Sequence, residues 1–183
     1  SKAYTTQLTA FYMIALNLAM TKGSISEEEY FARIAQLKEI PAQVEKVLEC
    51  NELVGQIAEE IKEANDIFYL GRGVDYSLAM EGALKIKEIS YVHAEAFAAG
   101  ELKHGSIALI DKGTPVVAIA TQSQLFEKMV SNMQEVRARG ARVIAITQEG
   151  NTEVEKSADR VIYIPKVDDM FASITAVVPM QLL

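Results

Sequence analysis

A single cysteine, Cys50, leaves no partner for an internal disulfide and excludes a cysteine-based zinc site. That usage fits a reducing compartment, so a cytoplasmic location is expected. With only four prolines and ten glycines, and half of its 183 residues hydrophobic, the chain is too apolar for a disordered segment. Positive charge is also scarce. The formal net charge of −7 argues against an electrostatic grip on nucleic acid. No apolar run reaches the roughly 18 to 20 residues that a membrane helix needs. The two longest, "LTAFYMIALNLAM" from Leu8 to Met20 and the closing "MFASITAVVPMQLL", are expected to be buried helices. The first has no signal-peptide flank or cleavage site.

What is present points to one domain with a sizeable core. The chain begins without methionine and stops inside an apolar helical pattern, so a piece of a larger polypeptide is expected. From Ser26 to Asp66, eleven acidic residues face four basic ones, and this segment alone accounts for the net −7. It reads as solvated helix faces. The remainder is balanced, which leaves its charges free to be arranged as a site.

Residues 1–66 read as a helical N-terminal segment of the domain. Residues 4–21 are apolar nearly all round, which predicts burial on several sides. Ser26 with Glu29 predicts a capping box, and Pro41 is expected to open a further helix, with a break near Asn51. From residue 67 the texture changes. "IFYL" (67–70), "IALI" (107–110), "VVAIA" (115–119), "RVIAIT" (142–147) and "RVIYI" (160–164) are short apolar runs rich in branched side chains. Helical stretches at 74–91, 122–139 and 151–157 lie between most of them. Continuous apolar strands alternating with helices predict a parallel sheet covered on both faces. The expected architecture is therefore an α/β, three-layer αβα, flavodoxin-like core over 67–183.

In such folds ligands gather beyond the carboxyl ends of the strands, which nominates the loops "GRG", "TQSQ", "QEGN" and "PKVDD". Gly71 and Gly73 suit a tight turn, but Tyr76 stands where a dinucleotide fingerprint would need its third glycine. Thr121 and Ser123 are read as caps for the helix that follows. On the helix at 74–91, Glu81, Lys85 and Glu88 share one face. This is either a surface ion-pair ladder or a carboxylate held beside a lysine, and the latter could serve as a general base. Gly82 and Ala83 favour a closely packed helix over a freely solvated one. His93 and His104 are too weakly connected, with Gly100 and Gly105 between or beside them, to read as a zinc pair. There is no nucleophile elbow either. His104, between Lys103 and Gly105, suits a mobile acid or base.

The stretches "LGRG", "EGALKIKEISYVHAEAFAAGELKHG" and "VPMQLL" resemble the isomerase part of the glutamine–fructose-6-phosphate aminotransferase (glucosamine-6-phosphate synthase) family, in the second of its two sugar isomerase (SIS) subdomains. The resemblance runs over essentially the whole chain. It implies a part in converting fructose 6-phosphate, with ammonia from glutamine, into glucosamine 6-phosphate by ring opening and a 1,2-proton transfer. By resemblance, Glu88 is the proton-shuttling carboxylate, Lys85 its neighbouring lysine, and His104 the ring-opening histidine. His104 would serve the substrate of the neighbouring subunit, which implies a homodimer. Ser1 would lie near the substrate. The other implied partners are the sugar phosphate, a glutaminase domain and a first SIS subdomain of the same chain. No cofactor or metal is implied, and no nucleic acid or membrane. The family usually carries proline after the histidine–glycine pair, where Ser106 stands here, and a looser loop is expected. Other readings of the same fold are a different SIS sugar-phosphate isomerase or deglycase, or a sensing module without catalysis.

Overall fold

The computed structural model describes residues 2–183. The order of elements is α1 (Lys2–Thr21), α2 (Glu27–Val47), α3 (Asn51–Ile61), β1 (Asp66–Gly71), α4 (Val74–Ser90), β2 (His93–Ala98), β3 (Pro115–Ala120), α5 (Phe126–Ala138), β4 (Arg142–Gln148), β5 (Arg160–Ile164) and α6 (Ala172–Leu182). The strands form one parallel sheet in the order β2-β1-β3-β4-β5. That is the flavodoxin-like order expected from the alternation of apolar runs and helices.

The layers follow from the two-residue period of a strand, which sends neighbouring side chains to opposite faces. Ile67 and Tyr69 of β1, with Val117, Ile119, Ile144 and Ile146, meet α3, α4 and α6 on one face. Phe68 and Leu70, with Val116, Ala118, Val143 and Ala145, meet α5 on the other. Each central strand is buried on both sides, so its sequence is a continuous apolar run.

β2 is an unexpected strand. It pairs only with β1, from Asp66↔His93 to Gly71↔Ala98. As a half-exposed edge it needs no branched apolar run, and "HAEAFA" gave no such signal. The predicted strand at 107–110 is instead a 3₁₀ turn, Ser106–Leu109, with Ile110 buried and Leu109 exposed. Its apolar residues cover one face of the sheet without joining it.

Ser26 caps α2, accepting from the Glu29 amide at 3.1 Å. Ser26→Ala is expected to cost about 1 kcal/mol, read as a shift of the denaturant midpoint at unchanged slope. Pro41 does not open a helix; it lies inside α2. The lost backbone bond at that point is offset by Leu37, Ile40 and Val44, which pack against Phe171 and Ile174 on both sides of the proline. The break near Asn51 is real: a 3₁₀ turn, Leu48–Cys50, joins α2 to α3.

The two long apolar segments part company. α6 is buried along nearly its whole length, as expected. α1 is not. Phe11 is 65 % exposed, and Met13, Ile14 and Leu18 are also exposed. An all-round apolar pattern shows that a helix can be buried, but this one touches neighbours mainly along one side, against α2.

Candidate functional site

Two close approaches set α4. At Gly71 an added Cβ would sit 2.2 Å from the Asp75 carbonyl oxygen, so only glycine lets β1 turn directly into the helix. At Gly82 a Cβ would sit 2.6 Å from Met180 Sδ and 2.8 Å from the Tyr69 ring, so α4 lies pressed against β1 and α6. Glu81, Lys85 and Glu88 lie on the flank beside that contact, with Lys85 one turn on from Gly82.

The structure joins all three. Lys85 Nζ donates to Glu88 Oε2 at 2.6 Å and stands 3.8 Å from Glu81 Oε1. Lys85 and Glu81 are largely covered, at 17 % and 15 % side-chain exposure, whereas Glu88 is open at 53 %. This is a held pair with one accessible carboxylate, not a free ladder. The hydrogen bond to Glu88, partly opposed by desolvation, raises the lysine pKa. Lys85 is therefore a fixed cation beside a solvent-accessible carboxylate. Tyr4, from the start of α1, packs near this group. Burial and the Glu81 charge push its phenol up to about 12, so it stays a neutral hydroxyl. Nothing in the sequence pattern tied Tyr4 to α4, because the two are joined only in space.

The pair is not where the strand-end rule points. α4 starts at the carboxyl end of β1 and runs back, so Lys85 and Glu88 lie toward the amino edge of the sheet. There a small cavity of about 40 Å³ is lined by Lys85, Ser90 and Gln181, among others. At that edge His93 Nδ1 meets Asp66 Oδ1 at 2.7 Å, joining the first residues of β2 and β1.

The carboxyl-edge loops are tied to each other. Thr121 donates from its amide and hydroxyl to Asp75 at 2.8 and 2.6 Å. Ser123 donates from its amide to Asp169 at 2.7 Å, and Gln148 Nε2 reaches Asp169 Oδ1 at 3.1 Å. Burial pushes the Asp75 carboxyl up, against the Thr121 bonds that favour its charge. Neither Thr121 nor Ser123 caps α5, contrary to expectation, since both hydroxyls donate to carboxylates elsewhere.

His104 ends a 3₁₀ segment, Ala99–His104, ahead of Gly105 at φ 144°. Its side chain is 76 % exposed, with Nε2 3.7 Å from Glu101 Oε2. Leu102 of the same segment packs in the α5 layer, while α4 packs on the other face of the sheet. Lys85 and Glu88 are thus together, and His104 stands in the opposite layer. Ser1 lies outside the described residues. Among the described residues no cluster of metal-ligating side chains occurs, and no helix is long and apolar enough to cross a membrane.

A doubly wound parallel sheet with a lysine–glutamate pair on the helix after β1 is the arrangement to be placed among known proteins. The family model for the SIS domain matches residues 60–183, and this chain belongs to the SIS domain family. The chain is 50 % identical over 183 residues to the glutamine–fructose-6-phosphate aminotransferase (isomerizing) of Caldanaerobacter subterraneus, covering 100 % of this chain and 30 % of that protein. It is 49 % identical to the enzyme of the same name from Clostridium tetani, again over 30 % of its length. Among solved structures, the C-terminal domain of glucosamine-fructose-6-phosphate aminotransferase from Francisella tularensis superposes with a TM-score of 0.95 at 39 % identity, covering all of this chain and 52 % of that one. The chain thus spans about a third of the length of the curated relatives it matches.

Proposed function

We propose that this chain is the C-terminal isomerase unit of a longer glutamine–fructose-6-phosphate aminotransferase, with residues 1–66 as its helical segment and 67–183 as its SIS core. The observation that carries the reading is the Lys85–Glu88 pair, covered on the lysine side and open on the carboxylate side. The strong likeness to enzymes of that name supports the assignment.

The chemistry suits these residue types. Fructose 6-phosphate opens its ring, ammonia adds at the second carbon, and water leaves to give an imine. Glu88 then takes a proton from the first carbon and returns it to the second, which one carboxylate can do alone. Lys85 stabilises the negative charge that develops on the sugar oxygens. Proton transfer of this kind calls for no metal or organic cofactor. The glutaminase domain and the first SIS subdomain of the same polypeptide supply the ammonia and the main phosphate contacts, and Ser1 lies near the substrate. The working form is a cytoplasmic homodimer, in which His104 opens the ring of the sugar bound to the neighbouring subunit. Its exposure on a glycine-flanked turn, in the layer opposite Glu88, supports that division.

In the full polypeptide, His104→Ala should slow turnover of cyclic fructose 6-phosphate by about a hundredfold or more, while an open-chain analogue is handled near the normal rate. Equal losses on both substrates would remove the ring-opening role.

A further inference from the structure

The "LGRG" turn binds no ligand in the reading above, yet its arginine is firmly held. Arg72 Nε donates to Asn132 Oδ1 of α5 at 2.9 Å. Asn132 is only 5 % exposed, and its Nδ2 donates to Glu135 Oε2 at 3.1 Å, so both ends of the amide are used. The other oxygen of Glu135 meets Lys103 Nζ at 2.9 Å. Lys103 is the residue before His104. A second contact runs from the same arginine to the same segment. A Cβ placed on Gly100 would lie 3.2, 3.3 and 3.4 Å from Nη2, Nη1 and Cζ of Arg72, so the guanidinium plane lies face-on over that glycine.

We infer that Arg72, Asn132 and Glu135 form a strut that positions the 99–104 segment and thereby His104. The inference rests on the reading of His104 as the ring-opening group. The segment needs such support. Six residues is long for a 3₁₀ helix, whose hydrogen bonds are poorly aligned. It ends at Gly105, a backbone position with wide freedom, and the carboxylate beside His104, that of Glu101, is distant and exposed. Buried Ala99 and Leu102 fix the depth of the segment but not the direction of its last residue. An isolated Lys103–Glu135 pair at the surface would hold little. Backed by a buried amide and a planar arginine, it holds the turn at two points, Gly100 and Lys103. Arg72, Asn132 and Glu135 are positioning residues, not catalytic ones.

The test is steady-state kinetics on the full polypeptide with cyclic fructose 6-phosphate and with an open-chain analogue. Arg72→Ala and Glu135→Gln should each lower kcat on the cyclic sugar by roughly tenfold or more, since small misplacements of a reacting group are costly. KM should stay within about twofold, and the open-chain substrate should be unaffected. Arg72→Lys, which keeps a donor for Asn132 but loses the plane over Gly100, should recover only part of the loss. Added to His104→Ala, neither variant should lower the rate further, because each acts through that histidine. Equal losses on both substrates, or an additional loss on top of His104→Ala, overturn the strut. Should Arg72→Ala fail to fold, Glu135→Gln carries the same comparison. If His104→Ala itself spares the cyclic sugar, the reading of His104 fails; if only the strut variants spare it, the strut alone fails.

Discussion

Glu88→Gln in the full polypeptide should lower sugar isomerisation by roughly 10²- to 10⁴-fold, the usual worth of a positioned base, while hydrolysis of glutamine largely survives. The glutamine keeps the volume of the side chain and can still accept from Lys85, whose present bond to Glu88 is 2.6 Å. What it loses is basicity. Stability should barely change, because the Glu88 carboxylate is 53 % exposed and such pairs contribute little in water. The two assays separate the outcomes. Isomerisation near the normal rate removes Glu88 as the base; loss of both activities, with an early melting transition, makes it a structural residue.

The second large effect lies in the backbone. Gly71→Ala should destabilise the fold by about 3 kcal/mol or more, at the upper end of what overpacking costs. The added methyl group would sit 2.2 Å from the Asp75 carbonyl oxygen, 2.3 Å from its carbon and 2.5 Å from the Tyr76 nitrogen. All three are backbone atoms of the first turn of α4, so no side chain can swing aside to make room. Either β1 or α4 must move, and α4 carries Lys85 and Glu88. Gly55→Ala is the control. It lies within α3 with nothing beyond its own turn of helix within 4 Å of the added carbon, and it should raise stability by up to about 1 kcal/mol, the helix propensity difference. Urea unfolding of the two variants should therefore shift in opposite directions. A Gly71→Ala midpoint close to the parent would mean that the strand-to-helix turn is softer than its contacts indicate.

The residues that carried meaning in the sequence were those whose role depends on near neighbours along the chain. The three central strands were legible because burial on both faces demands unbroken apolar runs, and "VVAIA" and "RVIAIT" have no other use; the edge strand β5 was legible from its branched residues. The Lys85–Glu88 pairing followed from three-residue helical spacing, and Gly82 signalled close packing. Ser26 announced its cap in the same way.

Only the tertiary structure decided the rest. β2 is an edge strand, so half of it faces water and its composition carries no pattern. "IALI" has strand-like residues but lies over the sheet as a 3₁₀ turn, since covering one face requires apolar side chains without requiring a ladder. Thr121 and Ser123 sit at a helix start, yet their hydroxyls go to Asp75 and Asp169, carboxylates 46 residues away in the chain. Arg72 reaches Asn132 across 60 residues. Local sequence determines which conformations a segment can adopt and which side chains share a face. The partners of a polar group are set by where the chain returns, and that depends on the packing of the whole sheet.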